Sequence, residues 1–177
     1  MKSRLPKVLH LVAGKAMLHY AVSAALHNNP SRLLVVVPPE STTIRASLDV
    51  MVDFVEQPKP RGTADALACV LSNVDPSVDT LMILSGDAPL LSGETTVDLL
   101  SKHHATGAAI TFLISKLCPP DDMGRVIRDR KGNVSGILEG VEGGLQGEEV
   151  NAGAYVFDLP WLREHLKRLS PQSNGET

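Results

Sequence analysis

The sequence predicts an α/β fold, a doubly wound and mainly parallel sheet, and two observations carry that expectation. Short β-branched runs bounded by Gly, Pro, Asp or Asn alternate with longer amphipathic stretches, the pattern of strands joined by crossover helices. The run Leu33 to Val37, an unbroken Leu-Leu-Val-Val-Val, lacks the polar alternation of a one-sided strand and so reads as covered on both faces. A length of 177 residues suits one domain able to bury its own core.

In chain order, a first helix is predicted over Ala16 to His27, with Met17, Tyr20, Ala21, Ala24 and Ala25 at helical spacing and Asn28-Asn29-Pro30 as its stop. Strand Leu33 to Val37 follows, and a weaker strand, Val52 to Val55, leads into the loop Gln57 to Gly62. Thr63 is predicted to cap a helix reaching about Ser72. Thr80 to Leu84 is a buried strand ending in Ser85-Gly86-Asp87-Ala88-Pro89, after which Ser92 and Glu94 start a helix to about His104. Ala109 to Ile114 reads as a strand, Arg125 to Arg128 and Val134 to Leu138 as a hairpin around Lys131-Gly132, and Asn151 to Phe157 as a last strand before a helix near Pro160. Glu142 to Glu149 reads as a mobile acidic loop, and residues 170–177 as a frayed, disordered tail.

Composition narrows the function. Seventeen Lys and Arg against twenty Asp and Glu give a net charge of -3, which argues against a nucleic-acid or anionic-lipid partner and favours a small molecule. Cys69 and Cys118 lie far apart in no paired motif, as expected of reduced thiols in the cytoplasm. Pro6 and His10 interrupt what would have to be a signal-peptide core, and no apolar run approaches the roughly 20 residues of a membrane helix. The six histidines lack chelating spacing, and no Walker loop, Gly-x-Ser-x-Gly or Gly-x-Gly-x-x-Gly is present.

Three segments could carry chemistry. The strand Leu81 to Leu84 delivers Asp87 into a Gly- and Pro-flanked turn at its carboxyl end, where open sheets bind ligands, and a lone Asp there suits Mg²⁺ as well as it suits a plain turn cap. In Pro58 to Ala66, Gly62 permits close backbone approach and the Thr63 hydroxyl sits at a helix start, so the segment could receive a uracil edge or a phosphate, or simply cap the helix. Lys7 lies in an apolar context, Leu5-Pro6-Lys7-Val8-Leu9, where it could neutralise phosphate or stand as one more solvated charge.

Taken in order, these segments resemble the uridyltransferase (pyrophosphorylase) domain of bifunctional N-acetylglucosamine-1-phosphate uridyltransferases over nearly the whole chain. The matching blocks are Met1 to His10 with Ala13-Gly14-Lys15-Ala16-Met17, then Gly62-Thr63-Ala64, Ser85-Gly86-Asp87-Ala88-Pro89-Leu90, Gly124-Arg125-Val126, Gly136-Ile137-Leu138-Glu139 and Val150-Asn151-Ala152-Gly153. The resemblance implies a Rossmann-like nucleotide-diphospho-sugar transferase fold with a small β-hairpin part for the sugar. It implies that residues 1–177 form a single partial domain, without the family's first strand and Gly-rich loop and without the family's later parts, the acetyltransferase domain included.

Carried over by position, Lys7 becomes a triphosphate contact, and Gln57, Gly62 and Thr63 the uracil-recognising wall. Asp87 becomes the magnesium ligand with Ser85 and Gly86 beside it, and Gly124, Glu139 and Asn151 hold the amino sugar. The implied partners are UTP and N-acetylglucosamine 1-phosphate, the implied product a UDP-sugar for cell-envelope precursors, and any homo-oligomer would form through parts beyond this sequence. Ser85, Met123 and Gly140 depart from the family's common residues. The alternatives are a transferase for another sugar 1-phosphate, for methylerythritol phosphate or for molybdenum cofactor, and an inactive chain that only binds sugar nucleotide.

Overall fold

The structure, a computed structural model, describes residues 3, 5–59, 63–116, 124–138 and 149–166. Its first element is a single 3-10 turn, Lys7–Leu9, set off by Pro6. Strands β1 (Leu11–Val12) and β2 (Lys15–Ala16) then form a minimal antiparallel hairpin. Its two turn residues, Ala13 and Gly14, have φ of 48° and 81°, the sign that matches a tight hairpin to strand twist. Helix α1 (Met17–Leu26) follows, then β3 (Leu34–Val37), a six-residue helix α2 (Thr42–Ser47) and β4 (Asp53–Glu56). None of the 3-10 turn, the β1–β2 hairpin or α2 is predicted by periodicity, because each is too short for its pattern to recur often enough to register.

In helix α3 (Thr63–Leu71) Thr63 is itself helical and not the cap; its side chain and the residue before it lie outside the described residues. Strand β5 (Thr80–Leu84) matches its expected bounds, and α4 (Gly93–Thr106) is capped by Ser92, whose hydroxyl accepts from the Thr95 amide at 3.2 Å. Strands β6 (Ile110–Ser115), β7 (Arg125–Arg128), β8 (Val134–Leu138) and β9 (Val150–Asp158) precede α5 (Leu159–Leu166). The tail 170–177, all of the acidic loop but Glu149, and Cys118 fall outside the described residues.

The parallel character comes from two pairs of strands. Strand β3 pairs in parallel with β4. Strands β5 and β6 each run antiparallel to β9, which lies between them, so they are parallel to each other. The β7–β8 hairpin joins the same sheet through β9. Helices cover both faces. Along β5, Met82 and Leu84 look toward α4 with Ala154 and Val156, while Leu81 and Ile83 look toward α3 and α5 with Leu67, Leu159 and Leu162.

Strands β3 and β5 share no ladder, and a cavity of about 1350 Å³ lies between them, lined by Leu33 to Val37 on one side and Thr80 to Leu84 on the other. This modifies the expectation of a β3 covered on both faces: Val35 and Val37 are buried against α1, whereas Leu34 and Val36 are half-buried and line the cavity. A small polar cluster around Thr96 spans the α1–α4 interface. Thr96, completely buried, accepts from Asn28 Nδ2 at 2.8 Å, and its hydroxyl lies 3.0 Å from the Ala24 carbonyl.

Candidate active site

The site gathers where the carboxyl ends of the parallel strands meet the antiparallel part of the sheet. Gln57 directly follows β4, and Ser85, Gly86 and Asp87 directly follow β5, and the cavity between the two sheets brings these strand ends together. Strand β9 and Gly124, immediately before β7, supply the opposite wall. Gln57, Ser85, Gly86, Asp87, Gly124 and Asn151 all line the one cavity. Among the candidate residues, Gly62, Glu139 and the Thr63 side chain lie outside the description.

At the cavity mouth Lys7 Nζ lies 2.6 Å from Asp87 Oδ2. The 3-10 turn makes this pairing: it packs Val8 against Gly86, where even a methyl group would sit 3.4 Å from Val8 Cγ1, and so aims the preceding lysine at the next carboxylate. Lys7 is about two-thirds exposed and Asp87 about one-third, so the pair is worth under about 1 kcal/mol and is readily exchanged for other partners. The two residues assigned to phosphate and to metal therefore face the same point in space.

That arrangement fits a magnesium ion brought in with a phosphate ligand. Magnesium takes one or two carboxylates and fills its other positions with water and phosphate oxygens, which is what a lone, partly exposed Asp offers. Among the described residues no group of three His, Cys, Asp or Glu could hold a metal by itself. Lys7 would have to leave Asp87 for such an ion to bind, and a phosphate is the natural acceptor of the displaced ammonium.

On the β4 side, Gln57 Nε2 donates to Asp65 Oδ2 at 2.9 Å, which fixes which end of the amide is which. Asp65 was not predicted, although its position in the first turn of α3, eight residues after Gln57, is a signal for such a contact. On the β9 side, the Ser85 amide and hydroxyl both donate to the Gly153 carbonyl, at 3.0 and 3.1 Å. The Asn151 backbone N–H donates to the Gly124 carbonyl at 2.9 Å, tying the hairpin to β9. Glu149, just before β9, clamps the hairpin from outside: Arg128 Nε is 2.6 Å from its carboxylate and Lys116 Nζ 3.8 Å, and the bond from Arg128 holds the Glu149 carboxyl below its ordinary range. Tyr155 also lines the cavity and was not singled out in the sequence, because its approach to Asn151 depends on an irregularity of β9.

Comparison with known proteins gives this geometry its family. A family model described as nucleotidyl transferase matches residues 2–177. The chain belongs to the nucleotidyl transferase family. This nucleotidyl transferase chain is 38% identical over 181 residues to the bifunctional protein GlmU of Mycobacterium avium, covering 96% of the chain and 37% of that relative. It is 35% identical over 178 residues to the bifunctional protein GlmU of Trichlorobacter lovleyi, covering 98% of the chain and 39% of that relative. The chain thus spans under two-fifths of the length of these curated relatives. Among solved structures, HddC from Yersinia pseudotuberculosis superposes with a TM-score of 0.71 at 14% identity, covering 100% of this chain and 75% of that one, a likeness of fold. No helix of the described residues is long and apolar enough to cross a membrane.

Proposed function

We propose that this nucleotidyl transferase domain joins N-acetylglucosamine 1-phosphate to UTP, giving UDP-N-acetylglucosamine and pyrophosphate, in cell-envelope precursor synthesis in the cytoplasm. The observation that carries the reading is the Lys7–Asp87 pair at the mouth of a cavity that also holds Gln57 on one wall and Gly124 with Asn151 on the other. Such a cavity has a cation and a carboxylate for phosphates between two neutral, hydrogen-bonding walls, one suited to a base and one to a sugar.

In this reading the phosphate oxygen of the sugar 1-phosphate attacks the α-phosphorus of UTP in line, and pyrophosphate leaves. The nucleophile is already an anion, so the site needs alignment and charge neutralisation and no general base. A bound Mg²⁺, held by Asp87, would supply part of that neutralisation. Lys7 turns from Asp87 to the triphosphate; Gln57, oriented by Asp65, meets the uracil with Gly62 and Thr63; Ser85 and Gly86 border the phosphates. Asn151, Gly124 and Glu139 bind the amino sugar.

The test is pyrophosphate release from UTP and N-acetylglucosamine 1-phosphate. Asp87→Ala removes the carboxylate and is expected to lower turnover by at least a hundredfold with an unchanged unfolding midpoint; near-wild-type release refutes the metal role. A panel of other hexose 1-phosphates, methylerythritol phosphate and molybdenum cofactor precursor, run in the same assay, identifies the acceptor. A second reading, sugar-nucleotide binding without turnover, draws on the apolar β3 and β5 side chains that line the cavity beside Asp87. Binding of UDP-N-acetylglucosamine without pyrophosphate release would select it.

A further inference from the structure

We infer that Tyr155 is a positioning residue that anchors the Asn151 side chain, whose polarity the Gly153 N–H sets, so that an N–H donor is held toward the ligand. The inference rests on the reading of Asn151 as a sugar contact and adds the device that gives that contact its polarity.

In a regular strand, residues four apart are separated by about 13 Å, too far for a tyrosine hydroxyl to reach an asparagine amide. Strand β9 is not regular. Opposite the two steps from Phe112 to Ile114 in β6 stand the four steps from Tyr155 back to Asn151, so β9 bulges by two residues. Gly153, with φ of 71°, sits in the middle of that bulge. The shortened path lets Asn151 Nδ2 donate to the Tyr155 hydroxyl.

The other end of the same amide is also taken: the Gly153 N–H donates to Asn151 Oδ1 at 3.1 Å. With the carbonyl occupied by a donor and one amide hydrogen by the phenol, a flip of the amide would set donor against donor at Gly153. The second Nδ2 hydrogen is the donor the side chain has left for the cavity that Asn151 lines. The phenol is itself held, between the rings of Phe112 and Phe157 at 6.3 and 6.1 Å, so it does not follow the amide if the amide moves. The anchored amide therefore offers a fixed donor to a ligand's acceptor oxygen at this point, a hydroxyl or an amide carbonyl.

The experiment is calorimetric titration of the whole chain with UDP-N-acetylglucosamine and with UDP, for the wild type, Tyr155→Phe, Asn151→Ala and the double variant. Phenylalanine keeps the ring and removes only the hydroxyl. Tyr155→Phe is expected to weaken the sugar nucleotide about tenfold while UDP changes less than twofold, since one buried hydrogen bond is at stake on the sugar side alone. The double variant is expected to bind no more weakly than Asn151→Ala, because Tyr155 acts through Asn151. Additive losses, or equal weakening of both ligands, overturn the proposal. If the wild type shows no preference for the sugar nucleotide over UDP, the sugar reading itself has failed. The lock is then judged by NMR of the Asn151 side-chain NH₂ pair, whose two signals must move in Tyr155→Phe; unmoved signals overturn it.

Discussion

Gly153→Ala tests how the β5 edge and the β9 bulge are fitted together. Two separate costs can be read from the structure. First, alanine must adopt the φ of 71° that Gly153 holds, a left-handed conformation that costs an L-residue about 1–2 kcal/mol. Second, its Cβ would lie 2.5 Å from Ser85 Oγ and 3.2 Å from Ser85 Cβ, so the serine hydroxyl must leave the Gly153 carbonyl, at about 1 kcal/mol. The sum is about 2–3 kcal/mol, read as a lower urea midpoint at unchanged slope. Ser85→Gly removes the colliding atoms and leaves the dihedral cost, so in that background the same substitution should cost about 1–2 kcal/mol. Equal costs in the two backgrounds would refute the contact between Ser85 and the bulge, and a cost under about 0.5 kcal/mol would refute the dihedral assignment as well.

Two further outcomes follow from buried polar groups. Thr96→Val keeps the shape of a fully buried side chain but strips the acceptor from Asn28 Nδ2 and the hydroxyl beside the Ala24 carbonyl; denaturant unfolding should show a loss of about 1–3 kcal/mol, and a neutral result would mean that α1 and α4 are not joined there. His103 is 5% exposed with Nδ1 at 3.0 Å from Thr111 Oγ1, and burial, reinforced by His104, holds its folded pKa below the ordinary 6.5. Because the folded chain resists that proton while the unfolded chain accepts it, the stabilisation is full above about pH 6.5 and shrinks as pH falls toward the lower folded value. Melting temperature should therefore drop between pH 7.5 and 5.5, and His103→Asn should flatten that slope; an equal slope in the variant would place the titration elsewhere. The Glu149 carboxyl, held below 4.5 by Arg128, acts only in more acid solution.

The expected elements appear where side-chain periodicity is long enough to register. Strand β5 and the hairpin strands β7 and β8 have their predicted bounds, and the remaining long elements shift by one or two residues, the usual play at element ends. Short elements leave no periodic trace, and one of them, the 3-10 turn, is what aims Lys7 at Asp87. Ser85, Gly86 and Asp87 stand out in the sequence by their position after a buried strand, whereas the roles of Gln57, Gly124 and Asn151 come only from the resemblance. The partners of Gln57 and Asn151 were not legible: Asp65 touches Gln57 across a helix start, and Tyr155 reaches Asn151 only because β9 bulges, a feature that depends on pairing with β6. A local sequence pattern cannot encode a register set by another strand.

The position of the site follows from the way the two kinds of pairing meet. Strands β4 and β5 both end at the cavity, and they contribute what strand ends contribute, half-buried polar loop residues: Gln57, Ser85 and Asp87. In the antiparallel part, β9 passes through without ending, and it contributes a strand face, which is rigid and regular except at its bulge. Mobile, charged chemistry therefore falls to the strand ends, where a weak and exposed Lys7–Asp87 pair can be exchanged for a phosphate ligand. Shape reading falls to the β9 face, where Asn151 is held by its neighbours on both sides of its amide. Under the function proposed above, a domain that releases phosphates but discriminates a sugar gains from keeping those two tasks on different kinds of backbone.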